Sequence, residues 1–341
     1  MAGYGDLGRL TDAERENAKR REDAYLERRF SLLLTALSNE PKSVGVLLRH
    51  VFGQEGYAPQ GALVWRDFGD HRIFFDPRDD KIAMTLLARR CWQRRYIDRS
   101  IAILTAVDRL KSGSTFVDVG ANIGTSTLYA MASKMFSDAI AIEPEPRNIK
   151  LLDRNIKEND LSERVTIIRR GVSSKSGRAR LYRDVHNFGK HSLDMARVTD
   201  CSLAAGSLGP VEVRLTTLDQ ALESRRLCST RVGLIKIDVE GHGLEVLRGM
   251  PRLLEAKVPV VIEAEFNETT HNWAAYRKLL EPHYTRIVEL EDRRAHLVKQ
   301  FWKRWRRGRI SAVPMRQHAE LVSMPLQAFN PTQGSHELLV Y

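Results

Sequence analysis

Cysteine is scarce in this chain of 341 residues: Cys91, Cys201 and Cys228 stand far apart, with no C-x-x-C spacing among them. An odd, scattered set excludes a disulfide-built scaffold and gives no basis for a structural zinc site. Long apolar runs are missing as well. No stretch approaches the ~18 consecutive apolar residues of a membrane span, and the N-terminus, MAGYGDLGRLTDAERENAKR, has no continuous apolar segment of the secretory kind. The expectation is a soluble, cytoplasmic protein without a transmembrane segment.

What is present is a globular composition, 43% hydrophobic and 28% charged, sufficient to bury a sizeable core. The net charge is +11, and nearly half of that excess falls in residues 291–341. There the run 299–309, KQFWKRWRRGR, interleaves Trp302 and Trp305 with lysine and arginine. It is the candidate contact for an anionic partner; the competing reading is a solvated helix whose tryptophans pack onto the domain.

The first part of the chain mixes helices with a hairpin. Thr11-x-x-Glu14 has capping-box spacing before a charged stretch that turns apolar at Phe30, Leu32, Leu33 and Leu34. Residues 62–77 read as a hairpin about Gly69-Asp70, and apolar residues recur at helical spacing from Asp79 to Leu110. Residues 1–110 are therefore expected to form an N-terminal helical and hairpin extension. After Gly113, short apolar runs alternate with helix-period segments, which predicts an α/β domain over 111–341 with a doubly wound, mostly parallel sheet. Strands are expected at 115–120, 139–143, 165–169, 233–238 and 258–265, with helices at about 123–136, 146–158, 216–226, 243–256 and 272–281. Residues 172–215 predict an inserted hairpin. The runs at 285–290 and 336–341 predict an antiparallel hairpin that ends the sheet, with a basic insertion at about 291–335 between them.

Three motifs carry chemistry. The first is FVDVGANIG (116–124), a buried strand entering a glycine-containing turn before a helix. In an open α/β sheet ligands sit at such carboxyl ends, and Gly120 and Gly124 let backbone pass close to one. Asn122 stands where the dinucleotide fingerprint would need its second glycine, and no Gly-Lys-Ser/Thr follows, so a phosphate cradle is disfavoured. Asp118 at the strand end suits a cationic amino group. The second motif is the strand end at Glu143, whose carboxylate can accept both hydroxyl hydrogens of a ribose. Glu145, beside Pro146, reads as a helix N-terminal acid instead. A turn and a ribose acid without a phosphate cradle fit S-adenosylmethionine. The third motif is LIKIDVEGH (234–242), in which Asp238 and Glu240 project the same way from a strand end and His242 follows as a candidate general base. Lys236, inside that strand, is expected to snorkel or to pair with an acid.

These segments, with TTLDQAL (216–222), resemble the FkbM-type S-adenosylmethionine-dependent methyltransferases over about residues 110–290. The resemblance implies a class I methyltransferase, Rossmann-like fold and methyl transfer to a hydroxyl oxygen, often on a sugar or polyketide. It also implies that Asp118, Gly120, Asn122 and Gly124 surround the methionine end, Glu143 holds the ribose, and Asp238 and Glu240 face the reaction. Where the family usually has DVEG-x-E, this chain has Gly243. The expected function is thus an S-adenosylmethionine-dependent O-methyltransferase acting on a hydroxylated small molecule or glycan. Asp238, Glu240 and His242 are its catalytic candidates, His191 is a fourth base candidate, and no metal is assigned. The alternatives are a nucleic-acid methyltransferase or binding protein using the basic segment, and a non-catalytic methyltransferase-like scaffold suggested by Gly243.

Overall fold

The structure is a computed structural model that describes residues 63–77, 79, 81–89, 91–184, 187–195, 209–266, 273–290, 323–331 and 334–341. The capping box at Thr11, the apolar turn at 30–34, Cys201 and the basic run 299–309 lie outside the described residues. The chain divides into two compact units, residues 1–62 with 76–91 and residues 63–75 with 92–341.

The second unit opens with an antiparallel hairpin of β1 (Val64–Asp67) and β2 (Arg72–Phe75). Its turn forms as expected: Gly69 has φ +96°, and its N–H donates to Asp67 Oδ1 at 2.7 Å. In the first unit, α1 (Ile82–Arg89) starts where Asp79 Oδ1 accepts the N–H groups of Lys81 and Ile82. Back in the second unit, α2 (Arg94–Ala106) buries Tyr96, Ile97, Ser100 and Leu104, a spacing that defines one helical face.

β3 (Ser114–Val119), α3 (Thr125–Ala132), β4 (Phe136–Ile142), α4 (Pro146–Glu158) and β5 (Val165–Ile168) then follow in strict alternation. α4 begins where the sequence predicts: Glu145 caps it by accepting the N–H groups of Arg147 and Asn148, and Pro146 occupies the first turn. The segment after β5 builds a separate three-stranded sheet. β6 (Gly171–Val172) pairs parallel with β8 (Val211–Thr216), and β7 (Gly177–Leu181) pairs antiparallel with β8.

The chain then returns through α5 (Leu218–Glu223) to β9 (Val232–Ile237). The single helix expected over 243–256 is two, α6 (Gly243–Arg248) and α7 (Pro251–Glu255). The break has a physical cause. Pro251 cannot donate to the preceding turn and starts a new helix, while a Cβ on Gly249 would lie 2.2 Å from the Ser173 carbonyl oxygen. β10 (Val260–Phe266), α8 (Trp273–Leu280), β11 (Arg286–Glu289), β12 (Met324–Pro325) and β13 (Gly334–Val340) complete the order.

The main sheet runs β12-β11-β13-β10-β9-β3-β4-β5, parallel from β10 to β5, with β13 antiparallel to both β10 and β11. This is the expected doubly wound sheet ending in an antiparallel hairpin. The register Ile287↔Val340 and Val260↔Val340 places β13 between its partners. One face buries Val117, Ile235, Ile237 and Ile262 against Leu244, Leu247 and Tyr276; α3, backed by α2, covers the other against β3 and β4.

A buried amide fastens the opening hairpin to this sheet. Asn155 of α4 accepts from Phe74 N–H at 2.6 Å and donates to Phe74 O and to Ile123 O, so it joins β2, α4 and the loop after β3. Losing it leaves buried backbone groups without partners. Asn155→Ala is expected to lower the unfolding free energy by about 2–4 kcal/mol, read as a fall in the urea midpoint at unchanged slope; an unmoved midpoint contradicts this role.

Candidate active site

β3 leads outward to β4 and β5, whereas β9, its other neighbour, leads the opposite way to β10. Ligands in open α/β sheets bind beside the carboxyl ends at such a reversal. The two loops that leave these ends touch. Asp238 N–H donates to Val119 O at 2.9 Å, and a Cβ on Gly120 would lie 1.9 Å from the Asp238 carbonyl oxygen. Gly120 also has φ +82°, so only glycine meets both demands.

The loop is held on its other side by β4. Gly120 and Ala121 N–H both donate to Ile142 O, and Asn122 N–H donates to Glu143 Oε2 at 2.9 Å. Asn122 has φ +53°, a region that asparagine enters more readily than most side chains. Its Nδ2 donates to Phe188 O at 3.2 Å, and its Oδ1 is buried with no hydrogen-bond partner. Glu143 Oε1 accepts from Glu145 N–H at 2.8 Å. Burial pushes the Glu143 carboxyl up to about 7, against the opposing pull of these two N–H donors.

A small cleft, enclosing about 70 Å³, opens at this point, lined by Gly120, Asn122, Glu143, Asp238, Glu240 and His242 together with the segment 188–193. The structure thus brings residues of all three motifs to one cavity. Phe188 O accepts from Asn148 Nδ2 as well as from Asn122, and Ser192 Oγ donates to Glu240 O, so the 188–193 segment is tied to both rims. His242 Nε2 lies 3.0 Å from Ser173 Oγ.

Asp118 and Gly124 are not among the lining residues. Asp118 is fully buried beneath the loop, where its Oδ2 accepts from Thr127 Oγ1 at 2.6 Å and Lys236 is its cross-strand neighbour. Burial raises its pKa against the pull of Lys236. This carboxyl ties β3 to α3 through Thr127, and the expected direct grip on an amino group is not seen among the cavity-lining residues. Gly124 has φ +93°, and a Cβ there would meet Leu152 Cδ1 at 2.7 Å; its glycine serves the close approach of α3 to α4.

Lys236 pairs with an acid, Nζ to Asp238 Oδ2 at 2.7 Å. Burial works against its charge, but Asp238, Asp118 and Glu337 outweigh that and raise its pKa. Burial likewise opposes the Asp238 carboxylate, and Lys236 with hydrogen bonds from Glu263 and Gln93 holds its pKa below the ordinary range. An acid so stabilised in its charged form is a weak proton acceptor. Carboxylate oxygens of Asp238, Glu263 and Glu337 lie within 4.8 Å of one another, the one such group of possible metal ligands among the described residues, but the cation on Asp238 is the Lys236 ammonium.

His191 lines the cavity, yet its Nδ1 accepts from Asp184 N–H at 3.1 Å, and burial lowers its pKa to about 4. The ring is neutral with its proton on Nε2, so it offers a donor and not the base considered from sequence. Gly243 faces the core: a Cβ there would lie 3.2 Å from Ile262 Cδ1 and 3.3 Å from the Tyr276 hydroxyl. A glycine at this position removes no carboxylate from the cavity wall.

Sequence reading missed Asn148, Asn155 and, apart from His191, the segment 188–193. The two asparagines had a signal, since they stand seven apart, two turns, on the apolar face of α4 among Ile149, Leu152 and Ile156. The segment HNFGKHS (186–192) has no periodicity to announce it.

The family described as the methyltransferase FkbM domain matches residues 118–295, just over half of the chain. The chain belongs to the FkbM methyltransferase family. Two curated relatives are similar: methyltransferase sdnD of Sordaria araneosa, 29% identical over 178 residues and covering 42% of this chain, and hexuronic acid methyltransferase AglP of Haloferax volcanii, 30% identical over 148 residues and covering 43%. The chain spans 63% and 54% of their lengths, respectively. Among solved structures, an FkbM methyltransferase of Methylobacillus flagellatus aligns at 17% identity with a TM-score of 0.40, over 77% of this chain and 55% of its own. The parallel sheet closed by an antiparallel strand makes this FkbM chain a class I methyltransferase fold.

The loop contact is directly testable. Gly120→Ala is expected to cost at least ~3 kcal/mol, since it combines positive-φ strain with a collision against backbone. Chemical unfolding measures this, and a variant as stable as the parent contradicts the close approach.

Proposed function

We propose that this chain is an S-adenosylmethionine-dependent O-methyltransferase that acts on a hydroxyl of a small molecule or glycan. The observation that carries the proposal is the pairing, in one cavity, of a buried carboxyl at the end of β4 with an unpartnered acceptor, Asn122 Oδ1, at the end of β3. A nucleoside with a cationic amino-acid tail fits that set. Its ribose hydroxyls donate to Glu143, its ammonium suits Asn122 Oδ1 and the Asp238 carboxylate, and Phe188, Ile142 and Val172 offer apolar walls to a purine. No lysine follows the loop to favour a phosphate.

When bound, S-adenosylmethionine supplies an electrophilic methyl carbon on a sulfonium, which departs as a neutral thioether. The protein's task is then alignment and proton removal. Gly120, through close backbone approach, Asn122, through its unpartnered amide oxygen, and Glu143, through its carboxyl, would hold the cofactor. Asp238, kept charged by Lys236, contributes field and orientation. Glu240 and His242 are the two groups at the cavity either of which can accept the one proton lost by the acceptor hydroxyl. The hexuronic acid methyltransferase relative supports a hydroxylated, carboxylate-bearing sugar as one acceptor class.

Calorimetric titration with S-adenosylmethionine and S-adenosylhomocysteine, followed by methyl transfer from labelled donor to a panel of alcohols and uronic acids, tests the reading. Glu143→Ala is expected to weaken cofactor binding at least tenfold, about 1.4 kcal/mol. The pH dependence has a defined sign. With Glu143 raised from 4.5 to about 7, ionisation costs the ligand-free protein stability as pH rises through that window, and hydroxyl donors restore it on binding. Affinity should therefore fall as pH drops below about 7, with proton release on binding. Unchanged affinity in Glu143→Ala sinks the placement.

A further inference from the structure

One face of the main sheet carries a row of ionisable side chains that the methyl-transfer reading uses only in part. Asp118 and Lys236 are direct cross-strand partners on β3 and β9, and Glu263 faces Glu337 across the antiparallel β10–β13 pairing. Asp238, just past β9, joins the row with a carboxylate oxygen within 4.8 Å of one on each glutamate. Two carboxylates directly opposed on paired strands repel, and three at this separation in a largely desolvated place do not all ionise. The Lys236 ammonium contacts Asp238 at 2.7 Å, and Gln93, from the turn before α2, also hydrogen-bonds to that carboxylate. The charges that raise the Glu263 pKa are Asp238 and Glu240 from the loop after β9 and Glu337 from β13, all of them acids; Lys236, the cation of the same row, is on the strand beside β10 and is paired with Asp238. Ser335 Oγ donates to Glu263 Oε1 at 2.9 Å.

We propose that Glu263 is a protonated carboxyl that donates its hydrogen to Asp238 and so positions Asp238, as a carboxylate, at the cavity wall. The proton belongs on Glu263 because Asp238 already has its cation. The neighbouring charge of Asp238, then burial, raises the Glu263 pKa well above its ordinary range. Glu263 does not line the cavity; it is a positioning residue. Lys236, Glu263 and Gln93 occupy acceptor sites on Asp238 and leave about one of its four for a ligand. Raising the pH until Glu263 ionises sets a like charge against Asp238 and removes the donor, so Asp238 turns from its place. Glutamine keeps a donor at every pH.

The inference rests on the cofactor reading only through Asp238, and one experiment separates the two. Wild type and Glu263→Gln are compared by infrared difference spectroscopy for the carbonyl stretch of a protonated carboxylic acid, and by calorimetry with S-adenosylmethionine across neutral to alkaline pH. The expected result is a protonated-carboxyl band at neutral pH that is lost in Glu263→Gln. The variant should bind within about threefold of wild type, with the alkaline fall in wild-type affinity abolished. Absence of the band from the difference overturns the proposal, as does its disappearance from wild type on adding magnesium chloride, because a metal ion then holds the carboxylates together. Tenfold weaker binding by Glu263→Gln at neutral pH, or an alkaline fall that it retains, also overturns it. If wild type binds no cofactor, the cofactor reading fails and the band still decides whether Glu263 holds the proton.

Discussion

The approach of one loop to another at the centre of the sheet is the constraint on which the rest of this structure depends. Backbone after β3 passes so close to backbone after β9 that no side chain fits between Gly120 and the Asp238 carbonyl. That contact fixes the floor of the cavity and sets the distance between the two sets of chemistry-bearing residues it joins. Glu143 extends the same logic to β4, because its carboxyl takes the Asn122 N–H and makes the three strand ends a single hydrogen-bonded rim. The pattern is pre-organisation: polar groups are placed by backbone that has few alternatives.

The ionisable groups divide into two layers with different work. At the cavity, Glu143, Glu240 and His242 line the wall. Beneath it, Asp118, Lys236, Glu263 and Glu337 share one sheet face and govern how Asp238 is presented. Burying so many charges costs stability unless each is paired or neutralised, so this row reflects function more than folding. The FkbM match covers Asp118, Lys236, Asp238 and Glu263 but not Glu337 on β13.

Much of this arrangement was legible in the sequence, for a physical reason. Strand ends followed by Gly120 and Gly241 announce themselves because turns with positive φ need glycine, and a strand two-face period shows where Asp238 must stand. Glu145 was readable as a cap from Pro146 beside it. What sequence could not give was depth. Asp118 and Glu143 look equivalent as acids at strand ends, yet one points into the sheet face under α3 and the other into the cavity. Apart from His191, the 188–193 wall was invisible because loop contacts such as Phe188 O with Asn122 and Asn148 leave no periodic trace. The break between α6 and α7 was signalled by Pro251, but the Ser173 contact at Gly249 that accompanies it is a tertiary fact.

The measurement that bears most directly on the account is a crystal structure of the chain with S-adenosylhomocysteine. The account predicts the ribose hydroxyls on Glu143, the amino-acid tail over the Gly120–Asn122 turn beside Asp238, and the thioether sulfur facing Glu240 and His242. Ligand density elsewhere on the molecule, or a nucleoside bound with Glu143 still turned away from its sugar, contradicts it.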